Sequence, residues 1–147
     1  MLAGCNRGVD DFKPETIIAL ERAALDRWGN GDPQGYLESY APDVTYFDPI
    51  QDRRVDGADA MRKYLEPFTG KIKVARYDML GPKVQHFGDA AVLSYNLISY
   101  GKKPSGEETA LARWNSTKVY ARVDGKWKLV HDHWSFIKPE LKQPVGQ

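Results

Sequence analysis

The sequence predicts one α+β domain: N-terminal helices lie across the concave face of a curved antiparallel sheet, leaving a cone-shaped cavity. Three observations predict it. Apolar residues recur at helical steps early in the chain and at a period of two from Lys71 onward. Helices that precede a run of neighbouring strands argue for helices segregated on one face of an antiparallel meander. The four alternating segments are long, and long strands must twist and coil.

From Pro14 to Trp28, Ile17, Leu20, Ala24 and Trp28 fall at three- and four-residue steps, and Gly29-Asn30-Gly31 stops the helix. Asp32 then caps a second helix with Pro33 in its first turn, running toward Tyr40 until Pro42 ends it. Val44 to Phe47 is a short strand closed by Asp48-Pro49, and Gln51 to Arg54 is a loop. A third helix starts at Asp56 or Gly57 and carries Met61, Tyr64, Leu65 and Phe68 as one stripe. Strands are expected near Lys71 to Gln85, Ala90 to Tyr100, Glu107 to Val123 and Lys126 to Ile137, with a bulge or break at Gly81-Pro82.

A chain of 147 residues fits one domain, expected over residues 14–138 between tails at 1–13 and 139–147. Its net charge of +1, from 21 basic and 20 acidic residues spread evenly, provides no field for steering nucleic acid. No apolar run reaches the roughly 18 residues of a membrane span. The single cysteine, Cys5, allows no internal disulfide. Leu2-Ala3-Gly4-Cys5 resembles a lipoprotein cleavage site without the basic and apolar stretch such a signal needs upstream. Two readings follow: a cytoplasmic protein, or a lipoprotein tethered at Cys5 whose leader lies upstream.

Asp124-Gly125 between two alternating runs signals a type I′ hairpin, whose two turn positions both need positive φ. Counting back from that turn pairs Tyr120 with Leu129, Lys118 with His131 and Ser116 with His133. Those residues would share one face, and Asp132 and Trp134 the other.

Ser116-Thr117-Lys118-Val119-Tyr120, Asp124-Gly125-Lys126-Trp127 and Val130-His131-Asp132-His133-Trp134-Ser135 together resemble the closing hairpin of the calcium/calmodulin-dependent kinase II association domain. They also resemble its bacterial relatives in the SnoaL-like and ketosteroid-isomerase-like groups. Lys83 to Ala91 and Thr45 to Pro49 extend the likeness, which covers most of the chain from Pro14 to Phe136. The resemblance implies the cystatin-like, nuclear-transport-factor-2-like fold, a homodimer through the sheet face, and a pocket facing Lys118. The association-domain pattern has arginine at that position; lysine keeps the charge but loses the planar fork that grips a carboxylate.

A small apolar organic ligand is therefore the expected partner, in a cavity lined by Tyr46, Asp48, Ser116, Lys118, Tyr120, His131 and His133. Asp48 and His131 are the candidate catalytic pair. In an apolar pocket Asp48 could abstract a proton next to a carbonyl while a histidine or tyrosine stabilises the enolate. The chemistry would be isomerisation, cyclisation or dehydration with no cofactor. His131 and His133 could instead hydrogen-bond within a covered sheet; a metal would need a third ligand, which no spacing supplies, so none is expected. Against the enzyme stands a non-enzymatic assembly or ligand-sensing module. No phosphate-binding glycine loop, nucleophile elbow or paired-cysteine motif is present.

Overall fold

The computed structural model describes residues 11–138. The Cys5 motif and the 139–147 tail lie outside the described residues. Helix α1 spans Pro14–Gly29 and α2 only Gln34–Leu37. Strand β1 (Tyr40–Phe47) follows, then β2 (Val55–Asp56), α3 (Ala58–Leu65) and a 3₁₀ turn at Glu66–Phe68. Four long strands complete the chain: β3 (Arg76–Phe87), β4 (Ala90–Lys102), β5 (Glu108–Val123) and β6 (Lys126–Phe136).

The helices and long strands fall where periodicity placed them, with three differences. The second helix ends at Leu37, not near Tyr40, because Tyr40 is taken into β1 through its pairing with Leu129. The segment 71–75 is not part of β3; it crosses between the 3₁₀ turn and the sheet. Strand β2, unpredicted, pairs two residues with Thr45 and Tyr46.

One six-stranded sheet results, in the order β2-β1-β6-β5-β4-β3. Strands β3 to β6 form the expected antiparallel meander, while β1 joins β6 in parallel. Such a pair needs a long crossover, and the rest of the chain supplies it. At Gly81 (φ 56°) β3 holds one extra residue relative to β4, the bulge its Gly-Pro pair suggests. The core lies between α1, α2, α3 and one sheet face, built on Ile17, Leu25, Val44, Met61, Leu93 and Leu129.

The stripe on α1 differs from its expected form. Ile17 and Ala24 are buried, Leu20 is 39% exposed, and Glu21 takes the fully buried position on the inner face. No described helix is long and apolar enough to cross a membrane.

Candidate functional site

The closing hairpin turns as predicted: Asp124 and Gly125 both have positive φ, and the ladder begins Val123↔Lys126 and Arg122↔Trp127. Beyond Tyr120↔Leu129 it departs from simple counting. The next pair is Val119↔His131, so Val130 is an extra residue in β6. One inserted residue moves every later side chain to the other face. Lys118 therefore stands opposite Asp132, and Ser116 opposite Trp134. Asp132 and Trp134 turn toward the helices, while His131 and His133 turn away.

The extra residue in β6 builds a buried charge cluster. Lys118, Asp132 and Glu21 have side chains with no exposure to solvent. The Lys118 ammonium donates to Asp132 Oδ1 and lies 3.5 Å from Glu21 Oε1. It also sits 3.8 Å from the ring centre of Trp134, a cation–π contact. Tyr40 donates to Asp132 Oδ2 at 2.9 Å. Glu21 accepts from Tyr36 at 2.8 Å, from Tyr95, and from Tyr120 at 3.2 Å. Burial pushes the Glu21 carboxyl above its ordinary range, although the Lys118 charge pulls the other way. Burial likewise raises the phenols of Tyr36 and Tyr40 well above theirs, helped by the carboxylates beside them.

Above the cluster lies a cavity of about 460 Å³, within the size range of small-molecule sites. Aromatic rings dominate its wall: Trp28, Tyr36, Tyr46, Tyr64, Trp114 and Trp134 are among them. Helices α1 and α2 supply one side and α3 with the 3₁₀ turn another, while the 71–74 segment edges it. Asp132 and Asp48 are its acidic members.

Of the expected site residues, Tyr46 and Asp48 line this cavity. Asp48 is heavily engaged. Its Oδ2 accepts from Tyr46 (3.0 Å) and Tyr64 (2.5 Å), and its Oδ1 from the backbone amides of Ile50 (2.8 Å) and Gln51 (2.9 Å). Four donors leave little lone-pair capacity for proton abstraction. Ser116, Lys118 and Tyr120 are buried on the inner sheet face, behind the lining residues. His131 stands on the other face, its Nδ1 2.7 Å from Thr45 Oγ1, and partial burial lowers its imidazole pKa. His133 is exposed beside Phe47. Asp48 and His131 are thus on opposite faces of the sheet and do not assemble as an acid–base pair.

Sequence reasoning did not single out Glu21, Tyr36, Tyr40, Tyr64 or Asp132 for the site. A signal for Glu21 was its place four residues after Ile17 and three before Ala24, inside the apolar stripe. For β6 the signal was parity: Leu129 and Trp134, five apart, both need cover, and only a bulge puts both inside. Among the described residues, no group of three or more His, Cys, Asp or Glu side chains could hold a metal ion.

Helices over one face of a curved sheet, enclosing an aromatic chamber, define the nuclear-transport-factor-2-like, cystatin-like class. Solved structures agree. A candidate ketosteroid isomerase from Parabacteroides distasonis superposes with a TM-score of 0.76 at 34% identity, covering 92% of this chain and 96% of that one. A Pseudomonas putida NTF2-like protein of unknown function shares the fold at a TM-score of 0.72 and 23% identity, covering 89% and 91% of the two chains. Residues 13–137 match the calcium/calmodulin dependent protein kinase II association domain family, and the chain belongs to it. The delta subunit of the rabbit (Oryctolagus cuniculus) kinase is 31% identical over 126 residues, 84% of this chain. That stretch is 24% of the kinase's length, so the chain spans about a quarter of that relative.

Proposed function

We propose that this domain binds a small, largely apolar organic molecule in the chamber between its helices and the inner sheet face. The observation that carries this reading is the cavity itself: about 460 Å³ of space walled by rings over a buried polar cluster. A domain of this size closes such a space at a cost in lost packing unless the space is used. The test is cavity filling. Ala112 lines the chamber, and Ala112→Trp should abolish binding of any aromatic ligand that a thermal-shift screen finds for the unmodified protein. Binding that survives the substitution unchanged, or a broad screen without a single hit, sinks the reading. Proton-transfer chemistry would have to use groups of the chamber wall, since His131 is on the far face.

A second reading, an assembly module, rests on the outer face. Phe47 is 39% exposed there, with the rings of His131 and His133 centred 5.9 and 5.4 Å away. An exposed aromatic and two imidazoles on a sheet face fit a surface covered by a second copy, in keeping with membership of an association-domain family. Phe47→Glu should then lower the mass measured by light scattering; an unchanged mass removes this face from the interface. Trp134, on the inner face, is not part of that surface.

A further inference from the structure

The chain has eight tyrosines, and all eight donate their hydroxyl to a carboxylate. Five of those rings line the chamber. Tyr36 gives its proton to Glu21, Tyr40 to Asp132, Tyr46 and Tyr64 to Asp48, and Tyr77 to Asp26 (2.8 Å). Other donors in the wall are committed as well. The Trp114 indole reaches Ser99 Oγ at 3.4 Å, and that hydroxyl reaches the Ala112 carbonyl at 3.5 Å. Lys118 is enclosed by two carboxylates and the face of Trp134.

A molecule seated in the chamber therefore meets phenolic oxygens with lone pairs free, the negative faces of aromatic rings, and the charge of two carboxylates whose lone pairs are already engaged. Among the described lining residues, the side-chain donors left over are the indoles of Trp28 and Trp134 and the ammonium groups of Lys71 and Lys73. Both lysines are exposed at the rim, where long stems keep the charged head in water. An anion entering the chamber would lose its hydration with no free cation inside to replace it. A cation would exchange hydration for ring faces and the nearby negative charge of Asp48, which acts at a distance although its lone pairs are engaged, the combination that recognises quaternary and protonated amines.

We propose that the chamber selects a compact organic cation, an aromatic amine or quaternary ammonium compound, over neutral and anionic molecules of the same shape. The proposal rests on the reading of the chamber as a ligand site, and its test separates the two. Protonated benzylamine, benzyltrimethylammonium, benzyl alcohol and benzoate are titrated into the ¹⁵N-labelled protein at pH 7, following the tryptophan indole resonances. At least one of the two cations should bind roughly tenfold more tightly than the alcohol, with benzoate weakest. Asp48→Asn should cut the cation's affinity severalfold and leave the alcohol's unchanged. Should that variant not fold, Tyr64→Phe serves in its place: it keeps a ring face and frees a lone pair on Asp48, so cation affinity should hold or rise. Benzyl alcohol or benzoate binding as tightly as the cations overturns the selection while leaving a ligand site. No saturable shift with any of the four, and the same silence in Ala112→Trp, overturns both.

Discussion

Replacing Lys118 by methionine tests the buried cluster that underlies the chamber. Methionine nearly preserves the stem that packs beneath Trp134 but deletes the ammonium, leaving Glu21 and Asp132 as two acidic groups in a fully buried space. Removing one partner of a buried ion pair costs roughly 3–5 kcal/mol, because the remaining charge is neither hydrated nor compensated. For a domain of this size that corresponds to a fall in melting temperature of roughly 10–20 °C. Urea unfolding followed by tryptophan fluorescence, at matched protein concentration, measures it. The sign with pH is also set. Burial already raises the Glu21 carboxyl and the Lys118 charge is what opposes that shift, so without the lysine the stability tied to Glu21 is complete below the ordinary carboxylate range and is lost as pH rises. Lys118→Met should therefore regain stability between pH 8 and pH 5 more than the unmodified protein does. Adding Asp132→Asn removes the stranded charge while Tyr40 keeps an acceptor, and should recover part of the loss. A cost below about 1 kcal/mol, or a double variant no more stable than the single, would show that these groups do not act as a buried ionic cluster.

Three further outcomes follow from the same structure. Burial raises the Glu21 carboxyl, so the stability it contributes is present below the ordinary carboxylate range and lost as pH climbs through the raised value; Glu21→Gln should flatten urea midpoints between pH 5 and 8. An unaltered pH slope would exclude Glu21 as the titrating group. At Gly35 an added Cβ would meet Arg27 Cβ at 2.8 Å and the Ala24 carbonyl at 3.2 Å, where α2 packs on α1. Gly35→Ala should cost about 1–3 kcal/mol by overpacking, read as a lower urea midpoint with an unchanged slope. His131→Ala should leave chamber ligand affinity within twofold, because His131 lies on the outer face beside Thr45, and a larger loss would put that residue back in the site.

Much of this protein was legible in its residues. Periodicity placed α1, α3 and the long strands, and Asp124-Gly125 placed the last hairpin, because helical and extended backbones repeat at different intervals and few residues accept positive φ. Tyr46 and Asp48 were identified as cavity residues from alternation along a single strand. Even Gly81-Pro82 announced its bulge, since glycine enters the required conformation without strain.

What local reasoning could not reach was the partner of Lys118. Its chain neighbours are the same whether it faces His131 or Asp132; the choice is made by Val130, whose insertion lets Leu129 and Trp134 both turn inward. That is a decision of packing across strands, and nothing in the composition of β6 marks Val130 as the extra residue. The same holds for the partners of Glu21: its place in the apolar stripe of α1 hints at burial, but nothing near it in the chain names the three tyrosines from α2, β4 and β5 that converge on it. The sequence by itself determined α1, α3 and the four long strands, their order and the cone they enclose, but not β2 or the end of α2. Only tertiary structure decided which charges that cone buries, because a buried charge is tolerated only where distant parts of the chain bring its partners to it.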